Sequence, residues 1–168
     1  MGPISQEVEV DASRERVFEF LMDMSLRPSW MGKLASDYRL ERVDPRGIGA
    51  AARFKPGGPG VQYMDSSIVE AEFPEKIVER GEGGLRNKAT IHTVWELIPE
   101  AGDVTTVRVT FWTDQHLRLG KLSEKGRSGW WKRRWHSALK GLRDAIESGR
   151  MEAVPVEIAG ANRIPGAA

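Results

Sequence analysis

Among side chains that could ligate a metal or move a proton near neutral pH, the chain has three histidines, His92, His116 and His136, and no cysteine. None of the three belongs to a His-Glu-x-x-His or comparable ligand pattern, so no metal is expected. Asp114 and His116 are spaced i, i+2 at the end of a strand-like segment and could form an acid/base pair, although nothing nearby supplies a nucleophile. His92 has outward parity and is expected to be solvated. Gly47-Ile48-Gly49-Ala50-Ala51-Ala52 has the letters of a dinucleotide fingerprint. Such a loop must open a helix, whereas Phe54-Lys55-Pro56-Gly57-Gly58-Pro59-Gly60 cannot be helical. With no Walker loop and no Gly-x-Ser-x-Gly elbow either, no cofactor is expected.

The large aromatic residues say more. Trp30, Trp95, Trp131 and Trp135 fall on apolar faces of their segments, where they could line a cavity and stack on a flat ligand, or simply pack as core. Burial of each is worth roughly 2 to 3 kcal/mol in either case. Phe54, Tyr63, Met64, Ile91 and Phe111 share both readings. Strand parity turns either Tyr63 or Met64 inward, and Tyr63, Arg53 and His116 are the polar groups that could orient a ligand.

These residues must be positioned by one ordinary domain of 168 residues and 18.8 kDa. Its 25 Lys and Arg stand against 24 Asp and Glu, and 40% of its residues are hydrophobic, a composition that excludes a disordered chain and a membrane span. The lack of cysteine and of an apolar signal core points to a cytoplasmic protein. Alternation of Val8 and Val10 with Glu7 and Glu9 predicts a strand over 4–10, and Val17, Phe18, Leu21 and Met22 predict a helix over 13–23 capped by Asp11 or Ser13. Pro28 fits the first turn of a second short helix anchored by Trp30. Strands are then predicted over 37–43, 50–55, 61–72, 76–82, 87–98 and 105–113, separated by Gly, Pro and Asp clusters. Ile91, Trp95 and Leu97 share one parity, as do Val107, Val109 and Phe111, so the sheet has one dry face. A long amphipathic helix over 122–148 covers that face, with Gly129 and Gly141 each weakening it by roughly 1 kcal/mol relative to Ala. The tail from 149 to 168 contains one short apolar run, Val154 to Ile158, and its last residues are expected to be mobile. The element order excludes a doubly wound parallel sheet and gives an α+β class, with a gap between curved sheet and helix where function should be sought.

Residues 8–21, Val8-Glu9-Val10-Asp11-Ala12-Ser13-Arg14-Glu15-Arg16-Val17-Phe18-Glu19-Phe20-Leu21, followed by Pro28-Ser29-Trp30, resemble the opening of the START-like helix-grip superfamily, in its polyketide cyclase/dehydrase and lipid-transport branch. Val69 to Val78 around Pro74 resembles its strand-turn-strand step, and Thr93 to Leu97 with Thr105 to Val109 resembles its final hairpin. The resemblance spans residues 4–148. It implies a seven-stranded antiparallel sheet gripping the last helix around an apolar cavity for a lipid, polyketide or other hydrophobic molecule. No single catalytic motif comes with it.

The expected function is thus non-catalytic binding or transport of a hydrophobic small molecule, contacted by Trp30, Phe54, Tyr63, Ile91, Trp95, Phe111, His116, Trp131 and Trp135. The alternative is a polyketide cyclase, aromatase or dehydratase using the same cavity. Lys121, Lys125, Arg127, Lys132, Arg133, Arg134, Lys140 and Arg143 form one basic cluster, read as a solvated helix face. No nucleic-acid partner is expected, and a homodimer is compatible with the sequence.

Overall fold

The computed structural model describes residues 1–57, 63–83, 89–115, 128–149, 153 and 157–158. Strand β1 (Ile4–Val10) leads into helix α1 (Arg14–Met22), whose N-cap Ser13 accepts a hydrogen bond from the Arg16 amide. Asp23 ends α1 and caps a 3-10 turn, Met24–Leu26, by accepting from the Ser25 amide at 2.9 Å. Helix α2 (Arg27–Met31) follows with Pro28 in its first turn, where the missing N–H costs nothing. Six strands come next: β2 (Ser36–Leu40), β3 (Ala51–Lys55), β4 (Met64–Glu72), β5 (Lys76–Gly83), β6 (Ala89–Pro99) and β7 (Thr105–Gln115). Helix α3 (Ser128–Glu147) and a two-residue strand β8 (Glu157–Ile158) complete the described elements.

The sheet order is β1-β7-β6-β5-β4-β3-β2-β8. All neighbours are antiparallel except β8, which runs parallel to β2 through Arg39↔Glu157 and Leu40↔Ile158. The expected seven antiparallel strands therefore gain an eighth from the tail's short apolar run, and it covers the β2 edge. Residues 159–168, where mobility is expected, lie outside the described residues.

One face of the sheet is dry. Ile91, Trp95 and Leu97 of β6 and Val107, Val109 and Phe111 of β7 are buried, and α3 meets them with Trp131, Trp135, Ala138, Leu139, Leu142, Ala145 and Ile146. α3 lies against β1 and α2. Its last turn is tied to α1, since Arg16 Nη2 donates to the Ile146 carbonyl at 3.1 Å and places a cation at the helix C-terminus. Gly141 has a packing role that outweighs its low helix propensity. A Cβ there would stand 2.4 Å from the Trp30 carbonyl oxygen, so only glycine lets α2 and α3 approach this closely. No helix among the described residues is long and apolar enough to cross a membrane.

Of the basic cluster, Lys132, Arg133 and Lys140 are exposed on α3, whereas Arg134 is partly covered, donating to the Lys33 carbonyl and lying 5.1 Å from the Trp130 ring centre. Lys121, Lys125 and Arg127 lie outside the described residues.

Candidate functional site

The site is built around a buried ion pair. On β5, Ile77 and Glu79 share the inward parity, which sends a carboxylate into the dry layer beneath α2. Arg27, the first residue of α2, meets it: Nη2 donates to Glu79 Oε1 at 2.6 Å, and both side chains are 3% exposed. The remaining capacity of the carboxylate is used locally, by Trp95 Nε1 donating to Oε1 at 2.6 Å and Ser66 Oγ donating to Oε2 at 2.7 Å. Arg27 also donates to the Leu21 carbonyl at 3.0 Å, and its guanidinium carbon lies 5.5 and 5.4 Å from the ring centres of Trp30 and Trp95. Hydrogen bonds of this kind offset part of the desolvation cost of a buried charge pair.

Beside the pair, between sheet and α3, lies a hollow. Its apolar walls are Met24, Met31 and Leu34 from the α2 region, Phe54, Met64, Ile91 and Phe111 from the sheet, and Trp131 and Trp135 from α3. Its polar lining is Arg27, Glu79, Ser66, Thr93 and Tyr38, and Asp65 also borders it, with the side chain on the outward parity of β4 opposite Arg53. Unfilled space amounts to about 430 Å³ when the mouth is counted, but the enclosed part has a cavity volume of only about 20 Å³, room for about one water. Aromatic contacts stiffen the wall: Phe111 packs on Trp131 at 4.6 Å and on Trp135 at 5.6 Å, Trp95 on Trp135 at 5.6 Å, and Tyr38 stacks on Phe54 at 5.9 Å.

Polar atoms around the hollow differ in how well they are satisfied. The Tyr38 hydroxyl donates to the Met24 carbonyl at 2.8 Å, and burial pushes this phenol well above its ordinary value. Burial also pushes the Asp65 carboxyl up, opposed by Arg53, whose Nε is 3.6 Å from Asp65 Oδ1. That separation is an ion pair but no hydrogen bond. Arg27 Nε, Trp30 Nε1, Trp135 Nε1 and Asp65 Oδ1 are buried atoms with no hydrogen-bond partner among the described residues. Close packing of β4 on β5 sets the position of Asp65, because a Cβ at Gly81 would fall 1.7 Å from the Asp65 carbonyl oxygen.

The structure brings Phe54, Ile91, Phe111, Trp131 and Trp135 together on the hollow, while Trp30 and Trp95 stand behind them as buried supports of the ion pair. Tyr63 lies elsewhere. Met64 takes the inward direction, and the Tyr63 hydroxyl donates to Asp37 on the outer side with Arg53 5.3 Å from its ring centre. The bond to Asp37 raises the Tyr63 phenol and holds the Asp37 carboxyl below its usual range. Arg53 does not line the hollow and pairs with Asp65 across β3 and β4 on the outer face. His116 lies outside the described residues, and its expected partner Asp114 sits 3.2 Å from His92 Nε2. His92 points outward as its parity requires, but it is stacked flat on Trp112 at 4.6 Å, with its side chain 17% exposed, rather than freely solvated. No group of three or more metal-ligating side chains occurs among the described residues.

Arg27, Glu79, Ser66, Asp65 and Tyr38 escape the reading from sequence. The available signal was Glu79, a charge at the same parity as Ile77 on a strand with one dry face.

The fold has known counterparts. The fold matches TTHA0849 from Thermus thermophilus at 20% identity and a TM-score of 0.65, covering 88% of this chain and 99% of that one. It also matches norcoclaurine synthase from Thalictrum flavum, in complex with a transition-state analogue, at 13% identity and a TM-score of 0.70, covering 89% and 96%. DynU16, from the dynemicin biosynthetic locus, matches at 21% identity and a TM-score of 0.61, with 88% of this chain covering 48% of that one. No curated protein matches the sequence. The model of the polyketide cyclase / dehydrase and lipid transport family matches residues 1–147, and the chain belongs to that family.

Proposed function

We propose that this protein binds and carries a hydrophobic small molecule in the hollow between sheet and α3. The observation that carries the reading is the lining itself, in which Phe54, Ile91, Phe111, Trp131 and Trp135 surround a gap that the fold leaves between two layers. An enclosed volume of about 20 Å³ means that a ligand must move side chains as it enters. Met24, Met31 and Met64 suit that purpose, because an unbranched thioether chain changes rotamer at little cost. Affinity comes mainly from apolar surface removed from water. The test is thermal unfolding across sterols, fatty acids and aromatic polyketides, together with native mass spectrometry of protein from its own host. A raised melting temperature or a copurifying molecule is expected, since a ligand at about 100 times its Kd adds about 2.7 kcal/mol. Neither appearing contradicts the carrier reading.

A further inference from the structure

The hollow has an unmet polar requirement. Arg27 and Trp135 both line it and are only 2% and 4% exposed, yet Arg27 Nε and Trp135 Nε1 donate to nothing among the described residues. A buried N–H left without an acceptor carries an uncompensated desolvation cost that a bound acceptor can remove. Both residues adjoin the same ring, since Trp95 lies 5.4 Å from the Arg27 guanidinium carbon and 5.6 Å from the Trp135 ring centre.

Charge decides what kind of acceptor fits. The Arg27 cation is already matched by Glu79 at 2.6 Å. Asp65 and Arg53 pair with each other on the outer face of β3 and β4, so Arg27 and Glu79 are the charges the hollow presents, and each has its counter-charge. An incoming carboxylate would be a second anion beside Glu79 with no free cation to meet it, and burying an unmatched charge is far costlier than burying a carbonyl.

We propose that Arg27 Nε and Trp135 Nε1 form a polar anchor for one uncharged acceptor oxygen, such as a ketone, on an otherwise apolar ring system, and that the Arg27–Glu79 pair makes the site reject carboxylates. This inference rests on the reading of the hollow as a ligand site. Arg27 and Trp135 are specificity-determining residues in it, with no bond made or broken.

Three probes of one shape test it: 2-acetylnaphthalene, 2-ethylnaphthalene and 2-naphthoate, titrated by calorimetry against the full chain. The ketone is expected to bind about fivefold or more tighter than the ethyl compound, the worth of about one net hydrogen bond. Naphthoate is expected to bind at least about tenfold more weakly than the ketone. Trp135→Phe keeps a ring and removes the donor, and should reduce the advantage of the ketone over the ethyl compound to about twofold. Should that variant fold poorly, the wild-type indole N–H resonance of Trp135 decides, moving downfield with the ketone and not with 2-ethylnaphthalene. Equal affinities for ketone and ethyl compound with an unmoved N–H, or tightest binding of naphthoate, overturn the anchor while leaving the hollow a ligand site. If none of the three binds saturably, the ligand-site reading fails and the anchor with it.

Discussion

Arg27 and Glu79 meet at 2.6 Å with both side chains 3% exposed, joining the start of α2 to the middle of β5 through the buried layer. Removing one partner leaves the other charge buried and alone. Glu79→Gln is therefore expected to lower the unfolding free energy by about 3 to 5 kcal/mol, whereas the double change Arg27→Met with Glu79→Met should restore most of that loss. Urea denaturation of the three proteins decides. A single-variant loss below about 1 kcal/mol would show that the pair is not energetically buried.

Gly141→Ala gives a test whose sign separates local from tertiary effects. In an isolated helix the change would stabilise by roughly 1 kcal/mol. Against the Trp30 carbonyl oxygen, 2.4 Å from the new Cβ, it is expected to destabilise by about 1 to 3 kcal/mol as α2 is pushed from α3. A gain in melting temperature would mean that the two helices are not so tightly apposed.

Asp65 couples stability to pH. Burial raises its folded-state value above the unfolded one, so folding favours the protonated form. Relative to Asp65→Asn, the wild type should be most stable below the unfolded value of about 3.9 and should lose that advantage as pH rises through the raised folded value. Urea midpoints measured across this range for both proteins check the direction, and a wild-type advantage that grows with pH would reverse it.

Tyr63→Phe separates the outer tyrosine from the hollow. Losing the hydroxyl removes the chief cause of the low Asp37 value, so the Asp37 carboxyl resonance should titrate at higher pH. A depressed carboxyl contributes stability that is present above its unfolded value and lost as pH falls through the folded one, and this contribution should shrink in the variant. Ligand affinity should not change. An affinity loss would move Tyr63 into the binding site.

Element order, the single dry face and the closing helix were legible because each rests on periodicity that burial enforces: every second residue of β6 from Ala89 to Leu97 is buried, and α3 buries positions three and four apart. What stayed hidden depends on contacts between distant segments. Ser66 and Glu79 look like ordinary polar strand residues until α2 delivers Arg27 to the Glu79 carboxylate that Ser66 also meets. Gly141 reads as a helix weakener until the backbone of α2 is placed against it. Tyr63 and Met64 could not be told apart by parity alone, and the pairing Phe54↔Met64 in the β3–β4 register accompanies the inward turn of Met64. The pairing of β8 with β2 was likewise invisible, because two residues carry no period.

The most direct test of the account follows the indole N–H resonances of the six tryptophans while the protein is titrated with each compound that raises its melting temperature. Trp131 and Trp135, which line the hollow, should shift saturably, and Trp112, stacked on His92 across the sheet, should stay still. Shifts confined to Trp112, or tryptophan spectra unchanged by every such compound, would contradict a ligand seat between sheet and helix.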